Sequence, residues 1–176
     1  MIRLLLIVIF ASIGGIAFAG DADTRCIIHL IDPRGVAASE QTIPTGYGKA
    51  RADILGTRTL STSESRQLLS LLKTELVDDA NVPFCGHSPA YAVQVSRSGM
   101  PTRTVTLCGF CGTWARDGEL RALHGKKSLQ YLEVLLPLPD VFRGVAKLSD
   151  LPGVSPFGGT PTTPFYKLDA AKSDEP

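Results

Sequence analysis

The alternation of apolar and polar residues across positions 91–107 constrains the fold more than any other stretch of this chain. Successive side chains of a strand point to opposite faces, so this period-two pattern predicts two antiparallel strands. Matching the apolar faces pairs Val93 with Val105 and Tyr91 with Leu107, whereas a slip by one residue would oppose valines to threonines. Ser98-Gly99-Met100 remains between the strands and is predicted to form a three-residue hairpin loop.

Cysteines and a histidine flank this predicted hairpin on both sides. The stretch before it contains Cys85 and His87, and the stretch after it contains Cys108 and Cys111. Extending the register outward places Cys108 opposite Ala90 and on the threonine face, with Cys111 near His87 and Cys85 just beyond. The pattern therefore predicts a cysteine cluster at the base of the hairpin, close to the surface.

The first nineteen residues have the three parts of a secretory signal peptide. Arg3 supplies the basic region, an apolar run begins at Leu4, and Ala17-Phe18-Ala19 fits a cleavage site before Gly20. The apolar run is broken by small residues and is short for a transmembrane span, so we expect cleavage rather than anchoring. The mature protein is then predicted to be periplasmic or extracellular, with no stable membrane span.

Export favours disulfides over metal as the state of the cysteines. The four cysteines all lie after the predicted cleavage site, and an even count in an oxidising compartment indicates two disulfides. Four cysteines allow three connectivities, and the sequence does not choose among them. We expect Cys85 to pair with Cys108 or Cys111 at the hairpin base, which leaves Cys26 for the second bridge.

The residue pattern also allows two other functions for the cluster. Cys85, His87, Cys108 and Cys111 form a Cys3His set of the kind that holds structural zinc, although one residue between Cys85 and His87 is fewer than usual. Cys108 and Cys111 also have the Cys-x-x-Cys form of thiol–disulfide oxidoreductases, with Cys108 as nucleophile and Cys111 as resolving thiol. Residues 112–118, which follow this motif, do not predict the helix that normally activates the first thiol of such a pair.

The rest of the chain predicts one α+β domain over residues 20–137. Residues 25–31 and 50–60 are predicted strands, residues 113–123 suit a further hairpin, and residues 36–49 are predicted to be a loop. A helix over residues 61–80 has a capping box at Ser61 and Glu64, and a short helix covers residues 125–136. We expect an antiparallel sheet of about four strands, one long and one short helix, and a mostly extended or disordered tail at 138–176.

Charge excludes one class of partner and leaves the others open. Without Arg3, 17 Lys and Arg residues face 17 Asp and Glu residues, and no basic stripe is present. Nucleic acid is therefore not an expected partner, because its binding depends on clustered positive charge.

His29 lies between isoleucines on a predicted strand and is expected to be a hydrogen-bonded histidine of the sheet.

A leucine-rich helix, Cys85 with Pro89, the hairpin, Cys108 with Cys111 and a final helix ending near Pro137 follow one another in that order. This arrangement resembles small exported bacterial proteins of unknown function. The resemblance covers roughly residues 61–137 and departs at Gly86-His87 and at the glycine after Cys108. It implies no activity, and it supports a structural or binding role.

Overall fold

The computed structural model describes residues 24–143, 145, 150–154 and 165. Its elements are β1 (Arg25–Ile31), β2 (Thr42–Pro44), β3 (Arg51–Thr59), α1 (Thr62–Glu75), β4 (Tyr91–Ser96), β5 (Arg103–Cys108), β6 (Thr113–Arg116), β7 (Glu119–Ala122) and α2 (Lys127–Leu135). A short 3-10 helix follows at Asp140–Phe142. The predicted signal peptide lies outside the described residues.

The strands form one curled, antiparallel seven-stranded sheet in the order β2-β3-β1-β4-β5-β6-β7. The α+β class is therefore confirmed, but the expected count of about four strands is wrong. The three-residue β2 lies in the segment predicted to be a loop, where its length gives no periodic signal. The suggested hairpin over residues 113–123 is real, and it turns at Asp117-Gly118, where both residues have positive φ.

The predicted register of the central hairpin is confirmed, since Tyr91 faces Leu107 and Val93 faces Val105. These four side chains lie on the face of the sheet that α1 and α2 cover, in one buried apolar cluster with leucines of both helices. Burying this face supplies the main stabilisation of the fold, because free energy scales with the apolar area removed from water. The opposite face carries Ala92 and Thr106 and has a second, smaller core beside it.

Helix α1 begins as predicted and ends earlier than predicted. The Ser61 hydroxyl accepts the Glu64 N–H, and the Glu64 carboxylate accepts the Ser61 N–H at 2.8 Å, so the capping box is confirmed. The helix stops at Glu75 rather than near Ala80, because Leu76 leaves it to form an isolated β-bridge with Leu123. Residues 76–79 thus follow the outer edge of the sheet.

The buried carboxylate of Glu75 connects the two helices. It accepts hydrogen bonds from the backbone N–H groups of Lys127 and Ser128 at 2.8 and 3.0 Å, and from the Ser128 hydroxyl at 2.5 Å. The first N–H groups of a helix have no partner within the helix, and negative charge is favoured there. The last turn of α1 therefore caps α2, which lacks a capping side chain of its own at Lys126.

A buried ion pair fastens the chain that follows α2 to the end of β1. The Arg34 and Asp32 side chains are fully buried and joined at 2.5 Å, and Arg34 also donates to the carbonyl of Pro152 at 3.1 Å. The guanidinium lies 5.8 Å from the ring centre of Phe142, which is buried, as is Leu151. Parts of the predicted tail therefore pack on the domain, whereas residues 155–164 and 166–176 lie outside the described set.

Candidate functional site

The candidate site is the loop of residues 83–90 together with the turn of residues 108–112 that it meets. A disulfide joins Cys85 in the loop to Cys111 in the turn, with 5.7 Å between their Cα atoms. Cys85 is exposed, whereas Cys111 is 4% exposed. One of the two pairings expected for Cys85 is thus present, and it fastens the loop to the base of the hairpin.

Cys108 lies inside the cluster as a free thiol. It ends β5 opposite Thr113, on the face that carries Thr106, so its predicted placement on the threonine face is confirmed. Its Sγ accepts a hydrogen bond from the N–H of Cys111 at 3.4 Å. Its side chain is completely buried, and the expectation that the whole cluster lies near the surface is therefore wrong. Of the three cysteines in the cluster, Cys85 alone is exposed.

Cys26 is the second free thiol, so the second disulfide is not formed. It faces Val95 near the loop end of the central hairpin, whereas Cys108 lies at the base of that hairpin. Burial raises the pKa of the Cys26 thiol, and a hydrogen bond with Ser65 partly opposes this. The even cysteine count alone could not reveal that the sheet separates these two thiols.

His87 anchors the middle of the loop on the threonine face. Its Nδ1 lies 2.9 Å from the hydroxyl of Thr113, and its Nε2 lies 2.8 Å from the hydroxyl of Thr106. Thr106 donates its only hydroxyl proton to the carbonyl of Thr45, so it can only accept from His87. Nε2 therefore carries the proton of a neutral ring, and Nδ1 accepts from Thr113.

Burial lowers the pKa of His87 to about 4, and the nearby Thr45 carbonyl opposes the shift only in part. A charged imidazolium loses much of its hydration in this position, which favours the neutral ring. The loop is thus held by a disulfide on one side and by an uncharged histidine between two hydroxyls on the other. The sequence showed the alternating threonines, but it gave no sign that they meet a histidine.

The four residues of the suggested zinc set do lie in this region, with other partners. The sulfurs of Cys85 and Cys111 are bonded to each other, and both ring nitrogens of His87 contact threonine hydroxyls. Within the described part of the chain, no group of three or more His, Cys, Asp or Glu side chains is arranged to hold a metal ion. His29, the one histidine predicted to be a hydrogen-bonded residue of the sheet, contacts Thr57 and Gln94 through its ring nitrogens.

A cleft of about 230 Å³ adjoins the disulfide-linked loop. Its walls come from the loop, from the Cys-x-x-Cys turn, from α2 and from the chain that follows α2, with Pro33 beside them. The lining residues are Pro33, Ser88, Ala90, Tyr91, Gly109, Phe110, Leu129, Glu133, Leu138, Phe142 and Val145. The hydroxyl of Tyr91 is already used, because it donates to the carbonyl of Leu136 at 2.9 Å. Most of the lining is apolar, and Glu133 contributes the one acidic side chain.

Aromatic side chains accompany both cysteines of the disulfide. Phe84 is fully exposed, and Phe110 is 36% exposed and lines the cleft. Phe110 therefore belongs to the cleft, whereas Phe84 is not one of its lining residues.

Comparison of the chain with protein-family models, curated proteins and solved structures found no match. Among the described residues, no helix is both long enough and apolar enough to cross a membrane. The site must therefore be interpreted from its own geometry.

Proposed function

We propose that this protein is an exported, non-enzymatic binding module in which the Cys85–Cys111 disulfide shapes a binding cleft. The observation that carries the proposal is that both halves of the disulfide belong to segments that line this cleft. The weak resemblance to small exported bacterial proteins agrees with a structural or binding role.

The disulfide and His87 together fix the loop wall of the cleft. The segment after His87 contributes Ser88 and Ala90, and the turn that contains Cys111 contributes Phe110. A wall fixed before the ligand arrives lowers the entropy lost on binding, which is the benefit of preorganisation. The disulfide therefore supports affinity without taking part in any reaction.

The lining indicates a small, largely apolar ligand. Ligand sites are concave and mostly apolar, with a few polar groups that fix orientation. Phe110 and Leu129 provide apolar contact, and Ser88 and Glu133 provide a hydroxyl and a carboxylate. A neutral aromatic compound that carries a hydrogen-bond donor matches this set.

Indole is a suitable probe, because it is a flat apolar ring with one N–H donor. We expect indole to shift the amide NMR signals of Gly109, Phe110 and Leu129 in the wild type. Leu129→Glu should abolish these shifts, whereas Val134→Glu, at an exposed position of the same helix, should leave them intact. Shifts that survive in Leu129→Glu, or no shifts in the wild type, would contradict the proposed cleft.

The role of the disulfide is tested with the double variant Cys85→Ser/Cys111→Ser. It should retain the far-UV circular dichroism of the fold, because the sheet and helices do not depend on the loop. Its response to indole should be weaker than that of the wild type. An unchanged response to indole would show that the disulfide does not shape the cleft.

The alternative function is a thiol–disulfide oxidoreductase that uses Cys108 and Cys111. The hydrogen bond from the Cys111 N–H to the Cys108 sulfur favours it, since reactive Cys-x-x-Cys thiols accept such bonds. Burial of Cys108 and the strand that follows, β6, instead of a helix, weigh against it. Insulin reduction with dithiothreitol, catalysed by the wild type and not by Cys108→Ser, would support this alternative.

A further inference from the structure

The cluster at the hairpin base contains a disulfide and a free thiol that belong to one short turn. Cys108 and Cys111 are separated by two residues, and the Cys108 sulfur lies 3.4 Å from the backbone nitrogen of Cys111. The Cys111 sulfur is bonded to Cys85, which lies at the solvent-exposed side of the cluster. The free thiol is therefore buried beside one end of the disulfide, and the other end faces water.

From this arrangement we infer that the protein has a second oxidised form, reached by internal thiol–disulfide exchange. The thiolate of Cys108 attacks the sulfur of Cys111, a Cys108–Cys111 bond forms and the Cys85–Cys111 bond breaks. Cys85 leaves with the electron pair and takes up the proton that Cys108 released. One disulfide and one thiol are present before and after, so the step needs no oxidant and no reductant.

Three features of the cluster permit this exchange. A turn of the Cys-x-x-Cys type closes a disulfide in known redox proteins, so the product bond is compatible with the spacing. Cys108 lies in the same turn as Cys111, with its sulfur 3.4 Å from the Cys111 backbone nitrogen, so the attacking thiol does not have to approach from outside the cluster. Gly86 and Gly112 have positive φ and open space around them, which gives the backbone beside Cys85 and Cys111 freedom to adjust.

The exchange converts Cys85 into a modification site. In the second form the Cys85 thiol lies at an exposed position next to the fully exposed Phe84. It can then react with electrophiles or form a mixed disulfide with a small disulfide molecule in an oxidising compartment. The loop keeps its anchor at His87 and loses its covalent link to the turn. This inference goes beyond the binding role and does not depend on it.

The two forms give different tryptic maps. Cleavage after Lys73, Arg97, Arg103 and Arg116 leaves Cys85 in peptide 74–97 and both Cys108 and Cys111 in peptide 104–116. The folded protein is incubated with iodoacetamide at about pH 8, where thiolates form and exchange proceeds. It is then denatured in excess reagent, digested without reductant and analysed by mass spectrometry.

We expect alkylated Cys85 to accumulate with time, together with a peptide 104–116 that contains an internal disulfide. The rate should not change with protein concentration, because the exchange is intramolecular. In Cys108→Ser the alkylation of Cys85 should be lost, and the peptides should stay linked through Cys111. Cys26→Ser removes the other buried thiol and should behave as the wild type does.

Either of two results would overturn the inference. If its two peptides remain linked for the whole incubation while Cys85 stays unlabelled, the exchange does not occur. The same conclusion follows if Cys85 is labelled equally fast in the wild type and in Cys108→Ser. Because indole binding is measured separately, failure of the exchange and failure of the cleft are distinguishable.

Discussion

Lowering the pH is expected to destabilise the protein through His87. The ring is neutral in the fold, where its pKa is lowered to about 4, and it titrates near its ordinary value of 6.5 in the unfolded chain. The unfolded state therefore binds the extra proton first as the pH falls. The stability that His87 provides is complete above about pH 6.5, declines toward about pH 4 and then levels off.

The magnitude follows from the difference between the two pKa values. A pKa unit corresponds to about 1.4 kcal/mol, so this shift sets an upper limit of about 3.5 kcal/mol on the total loss. Between about pH 7.5 and pH 4.5 the expected loss is at most about 2.5 kcal/mol. Partial contact of the ring with solvent reduces these values.

Urea denaturation followed by far-UV circular dichroism measures the effect at several pH values in this range. The wild type should lose stability as the pH falls, and His87→Gln should lose less, because glutamine does not titrate. His124→Gln is the matched control, since His124 lies at the surface beside Asp79 and is half exposed. Equal pH slopes in the wild type and in His87→Gln would refute the assignment of a neutral, buried His87.

Three further changes test the bonds that hold the fold. Removing the disulfide with Cys85→Ser/Cys111→Ser should lower the free energy of unfolding by about 3 kcal/mol, as measured by urea denaturation. The reason is that the disulfide restricts the conformations of the unfolded chain. Glu75→Gln should lower the free energy of unfolding by about 2 kcal/mol, since the amide nitrogen cannot accept hydrogen bonds from the N–H groups of α2. The backbone amides of Lys127 and Ser128 should then exchange their hydrogens faster. Arg34→Ala should cost about 3–5 kcal/mol in the same denaturation measurement, because the Asp32 carboxylate is left buried and unpaired.

Each of these changes has an internal control. Reductant should lower the stability of the wild type to that of the double serine variant and leave the variant unchanged. Glu119→Gln and Arg143→Ala remove charges at exposed positions and should change stability by less than about 0.5 kcal/mol. Losses as large at these positions as at Glu75 or Arg34 would contradict the roles given to the buried groups.

Local patterns predicted the parts of the fold that local physics determines. The hairpin register follows from the alternation of side chains, and the start of α1 follows from a capping box contained within four residues. The Cys85–Cys111 contact was one of two expected pairings, because the hairpin brings its own flanks together. These features need no information from distant parts of the chain.

Long-range contacts decided what the patterns left undetermined. Glu75 looks like an ordinary surface carboxylate in the sequence, and its partners lie more than fifty residues away. The early end of α1 depends on Leu123, and the buried position of His87 depends on the hydroxyls of Thr106 and Thr113. None of these partnerships has a spacing signature, since each joins residues that are distant in the sequence and meet only in the folded domain.

The buried salt bridge between Asp32 and Arg34 contacts residues beyond Pro137, where the sequence predicts that the domain ends. Composition alone suggests a boundary at Pro137, because seven of the twelve prolines lie from that residue onward. A fragment cut there would lack Phe142, Leu151 and the Pro152 carbonyl, and the guanidinium of Arg34 would lose the neighbours that shield it. We therefore expect a fragment that ends at Val154 to be more stable than one that ends at Pro137.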